Sequence, residues 1–151
     1  MRVNHLNIVV SDMERSLAFY VGLLGMRITF ETELSGEWID TVVGLAGVRA
    51  RCVFVQPEGG GCRFELLQYI EPSGAAIPEN RLAHTLGLRH LAVEVNDLDA
   101  DYARLTAAGV EAISAPVTVP FRLMDGIRKR LCYLRDPDGV IVEICEHRLM
   151  P

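Results

Sequence analysis

The sequence has no C-x-x-C pair. Cys52, Cys62, Cys132 and Cys145 stand singly in apolar, strand-like segments, so neither a zinc knuckle nor a disulfide framework is indicated and four reduced, mostly buried thiols are expected. An extended basic stripe of the kind that phosphate backbones require is also missing. With a net charge of −5 and no such stripe, nucleic acid is not an expected partner. No apolar stretch reaches the roughly 18 residues that a membrane span needs, and the first residues open into a strand pattern rather than a leader, so a membrane is not an expected partner and the cytoplasm is the expected compartment. Nor is there a Ser/Gly-rich or acidic tract of the kind that leaves a tail disordered. What remains is ordinary globular material, 50% hydrophobic and 23% charged. At 151 residues it suffices for one well-buried domain or for two small units sharing a core, but not for two independent domains.

Laid on itself at an offset of 85 residues, the chain repeats. Val3-Asn4-His5-Leu6-Asn7-Ile8-Val9-Val10-Ser11-Asp12 falls over Leu88-Arg89-His90-Leu91-Ala92-Val93-Glu94-Val95-Asn96-Asp97, with His, Leu, Val and Asp in register. Each copy stops at a short oxygen-bearing pair that can accept hydrogen bonds from the free N–H groups of a new helix. The first helix carries Met13, Leu17, Tyr20 and Leu24 on one face, ends near Gly25, and has Ser11 and Glu14 spaced as a capping box. The second carries Leu98, Tyr102, Leu105 and Ala108 and stops at Gly109, a left-handed terminator. Three strands are predicted after each helix: 26–33, 50–56 and 62–69, then 111–118, 128–135 and 140–146. Their last turns are Pro57-Glu58-Gly59-Gly60-Gly61 and Asp136-Pro137-Asp138-Gly139. The reading is α+β: a first βαβββ module over 1–69, a linker over 70–87 and a second module over 88–151.

Equivalent strands carry the chemistry. His5 and His90 lie on the first strand of each module, and Glu65 and Glu143 lie inside apolar last strands, within Phe64-Glu65-Leu66-Leu67 and Val142-Glu143-Ile144. A carboxylate at a buried strand position is costly unless a cation compensates it, and the same misfit recurs at matching places. One shared divalent metal held by His5, Glu65, His90 and Glu143 would compensate both. Two imidazoles and two carboxylates suit Ni, Co, Mn, Fe(II) or Zn and leave positions open for water or substrate.

Two other stretches bear on a pocket. Ser35 to Gly44 reads as an extra helical turn around Trp38, the single tryptophan, and is expected either to pack into the core or to act as a lid. Val119 to Gly126 is apolar apart from Arg122 and Asp125, so Phe121 and Arg122 are candidate contacts for a substrate and its carboxylate or phosphate. Cys145 shares the strand face of Glu143. His84 and His147 lack repeat partners and receive no role.

These motifs together resemble the vicinal oxygen chelate superfamily of glyoxalases, epimerases, extradiol dioxygenases and bleomycin or fosfomycin resistance proteins. The resemblance covers nearly the whole chain. It rests on the two His-bearing strands, on Ser16-Leu17-Ala18-Phe19-Tyr20 with Leu24-Gly25, on Phe64 to Leu67, and on Asp136 to Gly139 leading into Glu143. It implies a cupped eight-stranded mixed sheet with helices outside, one metal, a homodimer and a small-molecule substrate. By position, Glu143 and also Glu65 would move the proton while an enediolate-like anion is stabilised, as in a glyoxalase- or epimerase-type isomerase or lyase. The glutathione-binding Arg and Asn of glyoxalase I would align with Val9 and Tyr69, which cannot bind a glycyl carboxylate in that way. The same resemblance admits an Fe(II) extradiol-type dioxygenase, which Glu65 opposes as a fourth ligand, or a non-catalytic binding or resistance protein.

Overall fold

Residues 3–75, 82–121 and 126–149 are described by the computed structural model, and the chain separates into two units, Met1–Ala76 and Ile77–Pro151. The first runs β1 (His5–Val9), α1 (Met13–Leu17), β2 (Arg27–Ser35), α2 (Glu37–Val43), β3 (Arg49–Gln56) and β4 (Arg63–Glu71). Its sheet has the order β1-β4-β3-β2, with β1 parallel to β4 and the other pairs antiparallel. The second runs β5 (His90–Glu94), α3 (Leu98–Ala107), β6 (Val117–Thr118), β7 (Ile127–Arg135) and β8 (Ile141–Leu149). Its order, β5-β8-β7-β6, and its strand directions repeat those of the first. The chain therefore adopts the α+β, tandem βαβββ architecture, with its strands in two four-stranded sheets.

Strand alternation sorts each sheet into two faces. In the first unit Ile8, Val10, Val53, Val55, Phe64 and Leu66 are buried on the face covered by Met13, Phe19 and Tyr20. The opposite parity brings His5, Asn7 and Val9 together with Glu65, Leu67 and Tyr69. Helix α2 packs on that same side through Ile39, against Val48, Ala50, Cys52 and Leu67. In the second unit Cys132, Leu134, Val142 and Ile144 are buried beside Leu98 and Leu105 of α3, leaving His90, Tyr133, Glu143 and Cys145 on the other face.

Local structure departs from expectation in three places. Helix α1 is capped by Asp12, whose Oδ1 accepts from the Arg15 N–H at 2.9 Å, and not by the Ser11–Glu14 box. Both arms of that box are engaged elsewhere, Ser11 Oγ by the Arg15 guanidinium and Glu14 by Arg51. Past Leu17 the chain widens into a π-helical stretch, Ala18–Leu23, which lets the adjacent Phe19 and Tyr20 both reach the core. The strand expected over 111–118 shrinks to Val117–Thr118 with one isolated bridge, Ala112 to Leu134. Pro116 has no N–H to give a ladder at its centre.

The turns that place the site behave as read. Asp136 is buried, and its Oδ1 accepts from the N–H groups of Asp138 and Val140 at 3.0 and 2.8 Å, fixing the entry into β8 seven residues before Glu143. Gly109 takes φ of +87° after α3, the left-handed step expected of a terminator.

Candidate metal centre

Each unit presents one His–Glu pair built in the same way. In the first, Nε2 of His5 on β1 lies 3.6 Å from Oε2 of Glu65 on the neighbouring parallel strand β4. In the second, Nε2 of His90 on β5 lies 3.4 Å from Oε2 of Glu143 on β8. An aromatic ring from the third strand stands directly opposite each glutamate and packs on each imidazole. It is Phe54 at 5.3 Å from His5 and Tyr133 at 5.2 Å from His90. The repeat thus extends beyond the four expected ligands to the rings that orient them.

The pairs fit a metal in donor chemistry and in spacing. Two donors on one cation, at bond lengths of about 2.0–2.1 Å, stand about 3.0–3.4 Å apart for angles between square and tetrahedral. The observed separations of 3.6 and 3.4 Å are close to that and too long for good hydrogen bonds. His5 also engages Asn4 Oδ1 through Nδ1 at 2.9 Å, which leaves Nε2 for Glu65 and matches the outer partner that ligating histidines usually have. Each unit supplies two donors, and no group of three or more His, Cys, Asp or Glu side chains gathers among the described residues.

The two halves differ in what else holds the carboxylate. Glu65 is half-buried, not fully buried as its apolar strand suggested, and is restrained by neutral groups. Asn7 Nδ2 donates to Oε2 at 2.9 Å, and the Cys52 thiol lies 3.5 Å from Oε1. Glu143 is 4% exposed, and the Lys129 ammonium presses against its Oε1, which accepts no other hydrogen bond. Repeat position explains the difference. Ala92 stands where the first unit has Asn7, and Ala50 stands where the second has Lys129, so neither feature shows in a self-alignment. Strand alternation from Tyr133 back to Lys129 is the signal that could have found the lysine.

These carboxylates bear on the buried thiols. Burial first, and Glu65 second, push the Cys52 thiol up to about 12; burial and then Glu143 push Cys132 up to about 11. Cys145 is raised by burial against the opposing pull of Lys129. Tyr133 is raised by burial and then by Glu143, so it remains a phenol beside His90.

The other candidate residues are less tied to the pairs. Trp38 is 57% exposed on α2, so it neither packs into the core nor seals anything within its unit; Ile39 does the packing, because it faces the sheet one position on. Phe121 is exposed, and Arg122 lies outside the described residues. His147, given no role from sequence, pairs through Nδ1 with Glu94 at 2.9 Å. Val9 and Tyr69 line a cavity of about 370 Å³ with Val43, Leu45, Pro72 and Gly74.

Residues 2–144 match the Glyoxalase/Bleomycin resistance protein/Dioxygenase superfamily. The chain belongs to this superfamily. Among its relatives, the uncharacterised Escherichia coli protein YaeR is 30% identical over 146 residues, covering 96% of this chain and 95% of that one. Human mitochondrial methylmalonyl-CoA epimerase is 25% identical over 146 residues, covering 95% of this chain and 72% of the epimerase. The crystal structure of a Bacillus cereus glyoxalase family protein superposes with a TM-score of 0.82 at 24% identity, over 97% of this chain and 94% of that one, which establishes the shared fold. Superfamily membership brings the His–Glu pairs into a group whose members commonly bind a divalent metal.

Proposed function

We propose that His5, Glu65, His90 and Glu143 together hold one divalent metal, and that the protein is a metal-dependent isomerase, epimerase or lyase acting beside a carbonyl on a small substrate with two adjacent oxygens. The observation that carries this reading is the duplicated pair, with Nε2 of a histidine 3.4–3.6 Å from Oε2 of a glutamate at equivalent strand positions. A bound Ni, Co, Mn, Fe(II) or Zn ion supplies Lewis acidity toward the two substrate oxygens.

The chain's own residues supply the proton chemistry. Glu143 has one carboxylate oxygen toward His90 and the other toward the Lys129 ammonium, with the Cys145 thiol also within reach, so it can turn without breaking a backbone or amide bond, and it is assigned as the base that takes the proton at the carbon beside the carbonyl. Glu65 is fixed by the Asn7 amide and the Cys52 thiol, and is assigned chiefly to holding the ion and second to proton transfer. Trp38, Phe121 and Arg122 are the proposed substrate contacts outside the pairs, the two aromatic rings being exposed. A glutathione handle has no support, since Val9 and Tyr69 line a cavity whose other residues carry no charged or amide side chain.

The test is solvent deuterium exchange beside the carbonyl, screened over acyl-CoA thioesters and hemithioacetals with metal-loaded protein. Exchange is expected, with Glu143→Gln retaining metal but losing about 10²- to 10⁴-fold in rate. Exchange at the wild-type rate in Glu143→Gln would remove the assignment. Oxygen uptake with a catechol and Fe(II), in place of exchange, would move the reaction to the dioxygenase branch.

A further inference from the structure

Lys129 is a charge that the four-ligand reading leaves over. It stands on β7 directly across from His147 of β8, and its side chain, about one-fifth exposed, reaches diagonally to Glu143. Around it, His147 is already paired with Glu94 at 2.9 Å, Tyr133 is a phenol and Cys145 is a buried thiol. Without metal, Lys129 and Glu143 neutralise one another, which is how a carboxylate that is 4% exposed can be accommodated. A dication held by Glu65 and Glu143 has its two positive charges matched by those carboxylates. Lys129 is then a largely buried ammonium whose counter-charge has been taken by the metal, a costly state unless another anion replaces it.

Building on the metal reading above, we infer that Lys129 anchors an anionic group that the substrate carries outside its two chelating oxygens, so that the substrate class is a small acid. The lysine is a specificity-determining residue for that acid. Its place on the strand next to Glu143 puts the anchored group within one side chain's reach of the proton-moving carboxylate. The first unit has Ala50 at the equivalent position, so the repeat supplies this lysine anchor on one side only.

Cobalt(II)-loaded protein is titrated with two α-hydroxy acids and followed by calorimetry and by the cobalt visible absorption. Glycolate offers only the chelate; tartronate offers the same chelate and a second carboxylate. Wild-type protein is expected to bind tartronate at least about tenfold more tightly than glycolate, a preference that Lys129→Gln abolishes with little change for glycolate and that Lys129→Arg largely keeps. An equal preference in wild type and Lys129→Gln overturns the inference. If Lys129→Gln does not fold, a wild-type protein that binds cobalt but does not favour tartronate overturns it equally. Wild-type protein that takes up no cobalt brings down the metal reading itself, and the inference with it; cobalt uptake without the tartronate preference removes the Lys129 assignment alone.

Discussion

At the scale of single residues, the four cysteines divide by environment. Cys52, Cys132 and Cys145 are buried and Cys62 is partly exposed. The thiols of Cys52 and Cys132 are pushed up to about 12 and 11 from an ordinary 9.0, so the reactive thiolate is suppressed in the folded protein. One thiol per chain should therefore react rapidly with DTNB at pH 8 in chelator-treated native protein, and all four in guanidinium; three or four fast thiols in the native state would contradict the burial. The same shifts set the sign of an alkaline effect. Because the folded state favours the neutral thiol, this contribution to stability is complete below pH 9 and is lost as pH rises from 9 toward 12. What sequence revealed at this scale was uneven. The repeat exposed His5, His90, Glu65 and Glu143, whereas Asn7 and Lys129, which distinguish the two carboxylates, have alanines at their repeat equivalents and stayed hidden.

Among elements, α2 shows how little sequence is needed to place a helix and how much to orient it. Seven residues are too few to be stable alone, so its position rests on packing and on its ends. Ile39 seats it on Ala50, Cys52 and Leu67, while Gly44 in the left-handed region closes it. The side chain of Asp40 then accepts from the N–H groups of Gly47 and Val48, each at 2.8 Å, which ties the helix to the start of β3. Replacing Asp40 by Ala leaves both donors without that partner, and a loss of about 1–3 kcal/mol is expected from the urea midpoint at unchanged slope. The extra turn was legible because its hydrophobic spacing interrupts a strand pattern. The direction of Trp38 was not, since a one-residue rotation exchanges it with Ile39 and composition favours burying the larger side chain. Strand β6 shrank for the complementary reason: apolar alternation promised a ladder that Pro116 cannot complete.

For the whole molecule, duplication was the informative signal, because a fold written twice constrains strand order, parallel pairing and turn chemistry in each copy by the other. Both sheets have the order in which the first strand lies parallel beside the last, and that order is what sets each histidine next to its glutamate. The two halves are proposed to serve one ion. Elemental analysis after loading with cobalt, nickel or zinc and exhaustive desalting tests it most directly. The prediction is one metal per chain in the wild type and less than about a tenth in both His5→Ala and His90→Ala, because either change breaks the same four-ligand set. Wild-type protein with no bound metal, or two metals per chain of which each variant loses only its own, would contradict it.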